Sequence, residues 1–325
     1  KITENRESRP PFVFYSPVDA GPIEREMVEA LHGSDHFYAY TEFGSCELMR
    51  AAAEVREKRE DFQFPNQIEV IPHGVDTDTF YPIEDDPAER RAKARLAVFP
   101  EKPELKDAFI VLNANRNQPR KRIDITMQGF AEFAKDKPEN VKLYLHMGVE
   151  DQGWNLLQLA RRLDIEKRLL LSTTQSTLPH FTTESLNLIY NACEVGINTA
   201  SGEGWGLVGW EHAATGAAQI VPGVGPSREL WKDVGVVLEP DMEVVNHGLM
   251  TDGALFAPTT VAAALESLYA NRDELERRSQ LAKELAWSPQ FHWANISERW
   301  DEVFQRVLSE PRPNPPKPAL PSKGV

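Results

Sequence analysis

Residues 195–216 read VGINTASGEGWGLVGWEHAATG. The run opens on a short apolar stretch, 195–198, of the kind that forms a buried parallel strand. Gly202, Gly204 and Gly206 follow, and a helix is predicted from near Trp210 to Thr215. A glycine-rich turn between strand and helix exposes backbone N–H groups at a helix N-terminus, a setting that suits an anionic pyrophosphate. Glycine also lets the backbone approach such a ligand closely. Gly204, Trp205, Gly206 and Leu207 are therefore candidate ligand-binding residues. Two carboxylates flank them, Glu203 in the turn and Glu211 in the helix. Carboxylates repel phosphates but accept hydrogen bonds strongly from sugar hydroxyls. Two glutamates at this spacing occur by chance in an acidic chain. The glycines and the strand–turn–helix setting give this pair its meaning.

Outward from this turn the same alternation repeats. Strands are predicted at 109–113, 141–146, 169–172, 195–198, 219–221 and 234–238, with helices at 125–134, 156–163, 186–192 and 210–215. Strand and helix in strict alternation imply a doubly wound α/β domain with a parallel sheet. Upstream, strands at 12–16, 37–40 and 68–71 alternate with helices at 23–31 and 46–59, again the pattern of a parallel sheet. Charges, three prolines and a helix around 88–96 fill 83–106, a connection between domains. Downstream, 261–286 reads as one long amphipathic helix, and a second helical segment carries Trp293 and Trp300 to near Leu308. The tail, 310–325, holds six prolines and is expected to be disordered.

A second loop follows the strand at 109–113 and reads ANRNQPRKR over 114–122. Arg116 and Lys121 stand there at the carboxyl end of a parallel strand, where doubly wound folds bind ligands. Two cations at that point suit a departing diphosphate without a metal. A third stretch, VIPHGVD over 70–76, is a strand and a rigid turn, and His73 reads as a turn residue rather than a base.

The formal net charge of −14 repels nucleic-acid backbones and anionic lipids, so nucleic acid is not expected as a partner. The two cysteines, Cys46 and Cys193, offer neither a disulfide framework nor zinc spacing. They suit a reducing cytoplasm, the expected location. No stretch approaches the roughly 18 apolar residues of a membrane-spanning helix, and no metal cluster is legible. The chain opens on Lys1 rather than Met, so its start is expected to be trimmed.

Taken together, IPHGVDTDTFYP, NRNQPRKR and YNACEVGINTASGEGWGLVGWEHAATG resemble the family-4 retaining glycosyltransferases of the GT-B fold, the group 1 type. The resemblance spans about 12–308. It implies two Rossmann-like parallel-sheet domains, divided here into a partial acceptor-side domain at 1–82 and a donor domain at 83–286. A helix at 287–309 would cross back onto the first domain. The family's E-x7-E motif matches Glu203 and Glu211, which implies that Glu203 holds the donor sugar and Glu211 the ribose. Its paired cations match Arg116 and Lys121, which implies stabilisation of the leaving diphosphate. Glu229, in the turn at 225–229, is taken as structural. The resemblance implies a nucleotide-sugar donor, an acceptor that is a glycan, a lipid or a protein, and no cofactor or metal. Only about 80 residues precede the connection, so the first domain is expected to be incomplete. The alternative is a non-catalytic or split nucleotide-sugar-binding subunit whose acceptor domain comes from a partner chain. An epimerase of the same fold fits the EGWGL turn less well.

Overall fold

The computed structural model describes residues 11–246 and 249–310. The lead-in before residue 11 and the proline-rich tail from 311 lie outside the described residues. β1 (Val13–Ser16), β2 (His36–Ala39) and β3 (Glu69–Val70) pair in parallel in that order, joined by α1 (Arg25–Glu29) and α2 (Glu42–Lys58). The two-residue period of a strand divides their side chains between two faces. Phe37 and Ala39 pack with Leu48, Ala51 and Val55 of α2, whereas Tyr38 joins Ile71 on the other side.

α2 begins a turn before the expected 46–59. Thr41 caps it, its hydroxyl accepting from the Gly44 N–H. A carboxylate from elsewhere in the chain, Glu229, accepts from the Glu42 and Phe43 amides at 3.1 and 2.8 Å. An N-terminus so satisfied starts where its partners stand, not where the apolar pattern starts.

α3 (Pro87–Val98) opens on an Asp86 cap with proline at its first position. It is pinned to the second sheet by Arg95, whose guanidinium grips buried Glu194 at 2.6 and 2.7 Å. The second sheet holds β4 (Phe109–Asn113), β5 (Val141–Leu145), β6 (Leu169–Leu171), β7 (Val195–Ile197), β8 (Ala218–Pro222) and β9 (Val236–Leu238). Its helices are α4 (Ile123–Ala134), α5 (Leu156–Arg162), α6 (Thr183–Asn191), α7 (Leu207–Ala214) and α8 (Gly225–Trp231). All its pairings are parallel, and the order is β6-β5-β4-β7-β8-β9. Counted within this sheet the order is 3-2-1-4-5-6, that of doubly wound nucleotide-binding folds. The order reverses between β4 and β7, and in such sheets the ligand crevice lies outside the carboxyl ends of the strands at that point. β4 is buried along its whole length, as expected of a central strand covered on both faces.

Three further features depart from the sequence expectation. The turn at 225–229 opens α8, with Pro226 in the first turn. An antiparallel hairpin, β10 (Met242–Val245) with β11 (Asp252–Leu255), follows β9. The single helix expected over 261–286 is two, α9 (Pro258–Ala270) and α10 (Arg272–Ala286). They break at Asn271, which sits in extended backbone with its side chain capping the Glu274 N–H.

α11 (Trp293–Ser309) packs on the open face of the first sheet through Ile296, Val303 and Val307. Trp300 meets Tyr15 and Tyr38 edge-on at 4.8 and 5.3 Å. Among the described residues, no helix is long and apolar enough to cross a membrane.

Candidate active site

The loops after β4 and β7 are laced together. Asn113, at the end of β4, donates to the Thr126 hydroxyl, which shares a hydrogen bond with Thr199 at 2.7 Å. Thr199 in turn donates to the Arg122 carbonyl, and the Ser201 N–H to the Arg120 carbonyl at 2.9 Å. A short 3-10 turn, Pro119–Lys121, directs Lys121 inward. Because β4 and β7 are neighbours, this lacing puts Lys121 on Glu203, and the ammonium and carboxylate are in direct contact. Both side chains are about nine-tenths buried. The Asn198 amide donates to the same carboxylate at 3.1 Å, and Arg120 stands 3.8 Å from it. Burial alone would raise the Glu203 pKa. Lys121, Arg120 and Asn198 outweigh it and hold the carboxyl below its ordinary value.

Gly206 takes a left-handed conformation, φ 81°, at the N-cap of α7, and no side chain caps that helix. A residue with a Cβ is strained there. In the first turn of α7 the Gly209 N–H donates to the Gly206 carbonyl at 2.9 Å, which leaves the Leu207 and Val208 amides for a ligand. Gly204 is required for a different reason: a Cβ would lie 2.5 Å from Asp19 Oδ1 and 2.7 Å from the Pro17 Cβ. The turn is thus pressed against the first domain, and the Glu203 N–H donates to the Asp19 carbonyl at 2.9 Å. Trp205 is buried and stacked on Trp210 at 4.9 Å, so the turn reaches a ligand through its backbone rather than its indole. Leu207 and Glu211, four apart, share the accessible face of α7, while Trp210, Ala213 and Ala214 are buried behind it. Burial pushes the Glu211 carboxyl up to about 7, opposed by a hydrogen bond from the Tyr190 hydroxyl at 2.7 Å.

Arg116 is not in this cluster. Its guanidinium pairs with Asp151 at 2.7 and 3.2 Å, beside a cavity of about 390 Å³ at the carboxyl ends of β4 and β5. Asn115, His146, Met147 and Gly148 also line that cavity. A larger cleft of about 890 Å³ separates Pro17–Ala20 of the first domain from Arg120, Ser201 and Gly202 of the second. His73 serves as a packing residue in the turn at 72–74, its ring edge-on to Trp293 at 4.7 Å.

No family model matches the chain. A D-inositol 3-phosphate glycosyltransferase of Kineococcus radiotolerans is 27% identical over 305 residues, covering 91% of this chain. One of Geodermatophilus obscurus is 29% identical over 213 residues, covering 65% of this chain. The chain spans 62% of the first relative's length and 42% of the second's. Among solved structures, Anabaena HepE in complex with UDP and glucose superposes with a TM-score of 0.66 at 16% identity, covering 91% of this chain and 72% of that one. Sucrose-phosphate synthase from Thermosynechococcus elongatus superposes at 0.62 with 19% identity, covering 88% of this chain and 60% of that one. This chain has the GT-B fold.

In this GT-B chain the strand reversal brings Lys121, Glu203 and the α7 amides to one point. Glu211 stands one helical turn beyond Leu207, and Arg116 lies apart on Asp151. Sequence reading passed over Asp19, which meets the glycine-rich turn from the first domain and lies 3.3 Å from Arg120. Its signal was legible: it follows β1 at the carboxyl end of a parallel strand. Tyr190, the partner of Glu211, had no such signal, because only the packing of α6 on α7 brings the two together.

Proposed function

We propose that this GT-B chain transfers a sugar from a nucleoside-diphosphate donor to an acceptor hydroxyl, with retention at the anomeric carbon and without a metal ion. One observation carries the reading: Lys121 and Glu203 touch at the strand reversal, beside the uncapped N-terminus of α7. The junction of a diphosphate and a sugar needs that pair at adjacent atoms, a cation for the phosphate and a carboxylate for the hydroxyl protons. As the bond to the anomeric carbon breaks, charge grows on the departing phosphate. Lys121 and the α7 amides, fixed before the reaction, stabilise it there. Arg116 would exchange Asp151 for the diphosphate, Glu211 would accept from the ribose hydroxyls, and the cavity at the ends of β4 and β5 would take the base. The acceptor would enter through the cleft between the domains. A front-face transfer assisted by the leaving phosphate needs no enzymic nucleophile, so the protein's part is positioning and charge stabilisation. The names of the curated relatives and the UDP complex of Anabaena HepE support this reading.

The test is a thermal-shift panel of UDP-, GDP- and ADP-sugars, followed by NMR of the transfer product. A bound donor at 100 times its Kd adds about 2.7 kcal/mol of stability, and the product should keep the donor's anomeric configuration. No stabilisation by any member would overturn the reading. Stabilisation without turnover on any acceptor would favour a nucleotide-sugar-binding subunit that works with a partner chain. Activity is expected to survive EDTA; complete loss restored by Mg²⁺ or Mn²⁺ would overturn metal independence.

A further inference from the structure

We propose that Tyr190 is a positioning residue for the donor site, holding the Glu211 carboxylate where the ribose hydroxyls meet it. The proposal rests on the nucleoside-diphosphate reading above. Tyr190 lies on α6 and Glu211 on α7, and the hydroxyl donates to Glu211 Oε2 at 2.7 Å. Among the described residues no other hydrogen bond and no ion pair to Glu211 is recorded. The carboxylate therefore has one fixed oxygen and retains acceptor capacity for the two hydroxyls of a ribose.

Tyr190 is itself immobile. It is fully buried, stacked on His212 with ring centroids 5.4 Å apart and meeting Phe80 edge-on at 5.6 Å. Burial, and then the neighbouring Glu211, holds its phenol well above the ordinary value, so the proton stays on the hydroxyl for donation. A tyrosine kept only for packing would present its hydroxyl to a backbone carbonyl or to solvent. This one is aimed at the single carboxylate on the accessible face of α7.

The surroundings supply no rival control of that carboxylate. β7 and β8, against which α7 packs, carry no ionisable side chain. The buried residues that α10 contributes are Leu275, Ser279, Ala282 and Ala286. His212, next in sequence, is held uncharged by burial, with a pKa near 3. Arg90 and Arg91 of α3 act on that ring and are recorded in no ion pair with Glu211. Removing the phenolic proton leaves a half-hidden carboxylate with less support for its charge. Glu211 then ionises at higher pH and rotates more freely.

Tyr190→Phe keeps the ring and its stacking. Calorimetry uses whichever of UDP, GDP and ADP binds. At pH 7 the variant should bind that diphosphate about ten-fold more weakly, the scale of one hydrogen bond to a charged group. The penalty should shrink by pH 9, where Glu211 is ionised in both proteins. In a Glu211→Gln background Tyr190→Phe should add no further loss. A merely structural tyrosine would give a penalty independent of pH and equal in both backgrounds, and that result would overturn the proposal. So would an unchanged affinity in Tyr190→Phe while Glu211→Gln binds weakly. Unchanged affinity in Glu211→Gln would overturn the ribose reading itself, and this inference with it.

Discussion

Replacing Lys121 with methionine should destabilise the protein and stop transfer, and the two effects separate by pH. The pair it forms with Glu203 is about nine-tenths buried on both sides. Taking one partner from a buried pair typically costs about 3–5 kcal/mol, because the remaining charge is stranded. Here Arg120 at 3.8 Å and the Asn198 amide at 3.1 Å stay behind, so the low end, about 3 kcal/mol, is expected. Glu203's folded pKa lies below its unfolded value of about 4.5. A depressed carboxyl contributes stability that is present above the unfolded pKa and lost as pH falls through the folded one. The gap between wild type and Lys121→Met should therefore be full at pH 7.5 and close below about pH 4. Adding Glu203→Gln removes the stranded charge and should recover part of the loss. Urea titrations from pH 3 to 8 measure all three proteins. Transfer by Lys121→Met at pH 7.5 should fall by roughly 10²-fold or more, the scale of losing one preorganised stabiliser of developing charge. Equal stability of wild type and variant at pH 7.5 would refute the buried pair. Unchanged turnover would remove Lys121 from the chemistry.

Two further outcomes follow from carboxylates on α7 and α8. Glu211's folded pKa is raised to about 7, so its contribution is full below about pH 4.5 and is lost as pH rises towards 7. Glu211→Gln should therefore gain stability relative to wild type across that window, by up to about 3 kcal/mol, and a flat difference from pH 4 to 8 would contradict it. Glu229→Ala leaves the Glu42 and Phe43 amides without their carboxylate across the domain boundary. It should cost about 1–2 kcal/mol and speed amide exchange at those two residues, and unchanged exchange would refute the contact.

The second sheet was legible because its strands are short apolar runs between helical periods. β4, fully buried, was bounded to the residue. What local pattern could not carry was set by partners distant in sequence. α2 starts where Glu229, 186 residues on, meets its amides. α8 hides behind Gly225 and Pro226, which read as a turn until a helix is seen to begin on them. The break at Asn271 is a cap that leaves the apolar period nearly undisturbed. At the site, residue type and spacing singled out Lys121 and Glu203, but their contact depends on β4 lying beside β7. Arg116 was read from the same loop as Lys121, yet it turns to Asp151, a partner no motif announces. Tyr190 stayed invisible because a tyrosine in an apolar helix looks like core until its hydroxyl is traced.

The central claim is that one loop and one helix grip two ends of a single nucleotide sugar. Calorimetry on Glu203→Gln and Glu211→Gln, each with a nucleoside diphosphate and with the matched sugar nucleotide, tests it most directly. Glu211→Gln should weaken both ligands alike, because both contain ribose. Glu203→Gln should bind the diphosphate almost as wild type does and lose affinity only for the sugar nucleotide. Equal weakening of both ligands by Glu203→Gln, or no change in either variant, would contradict it.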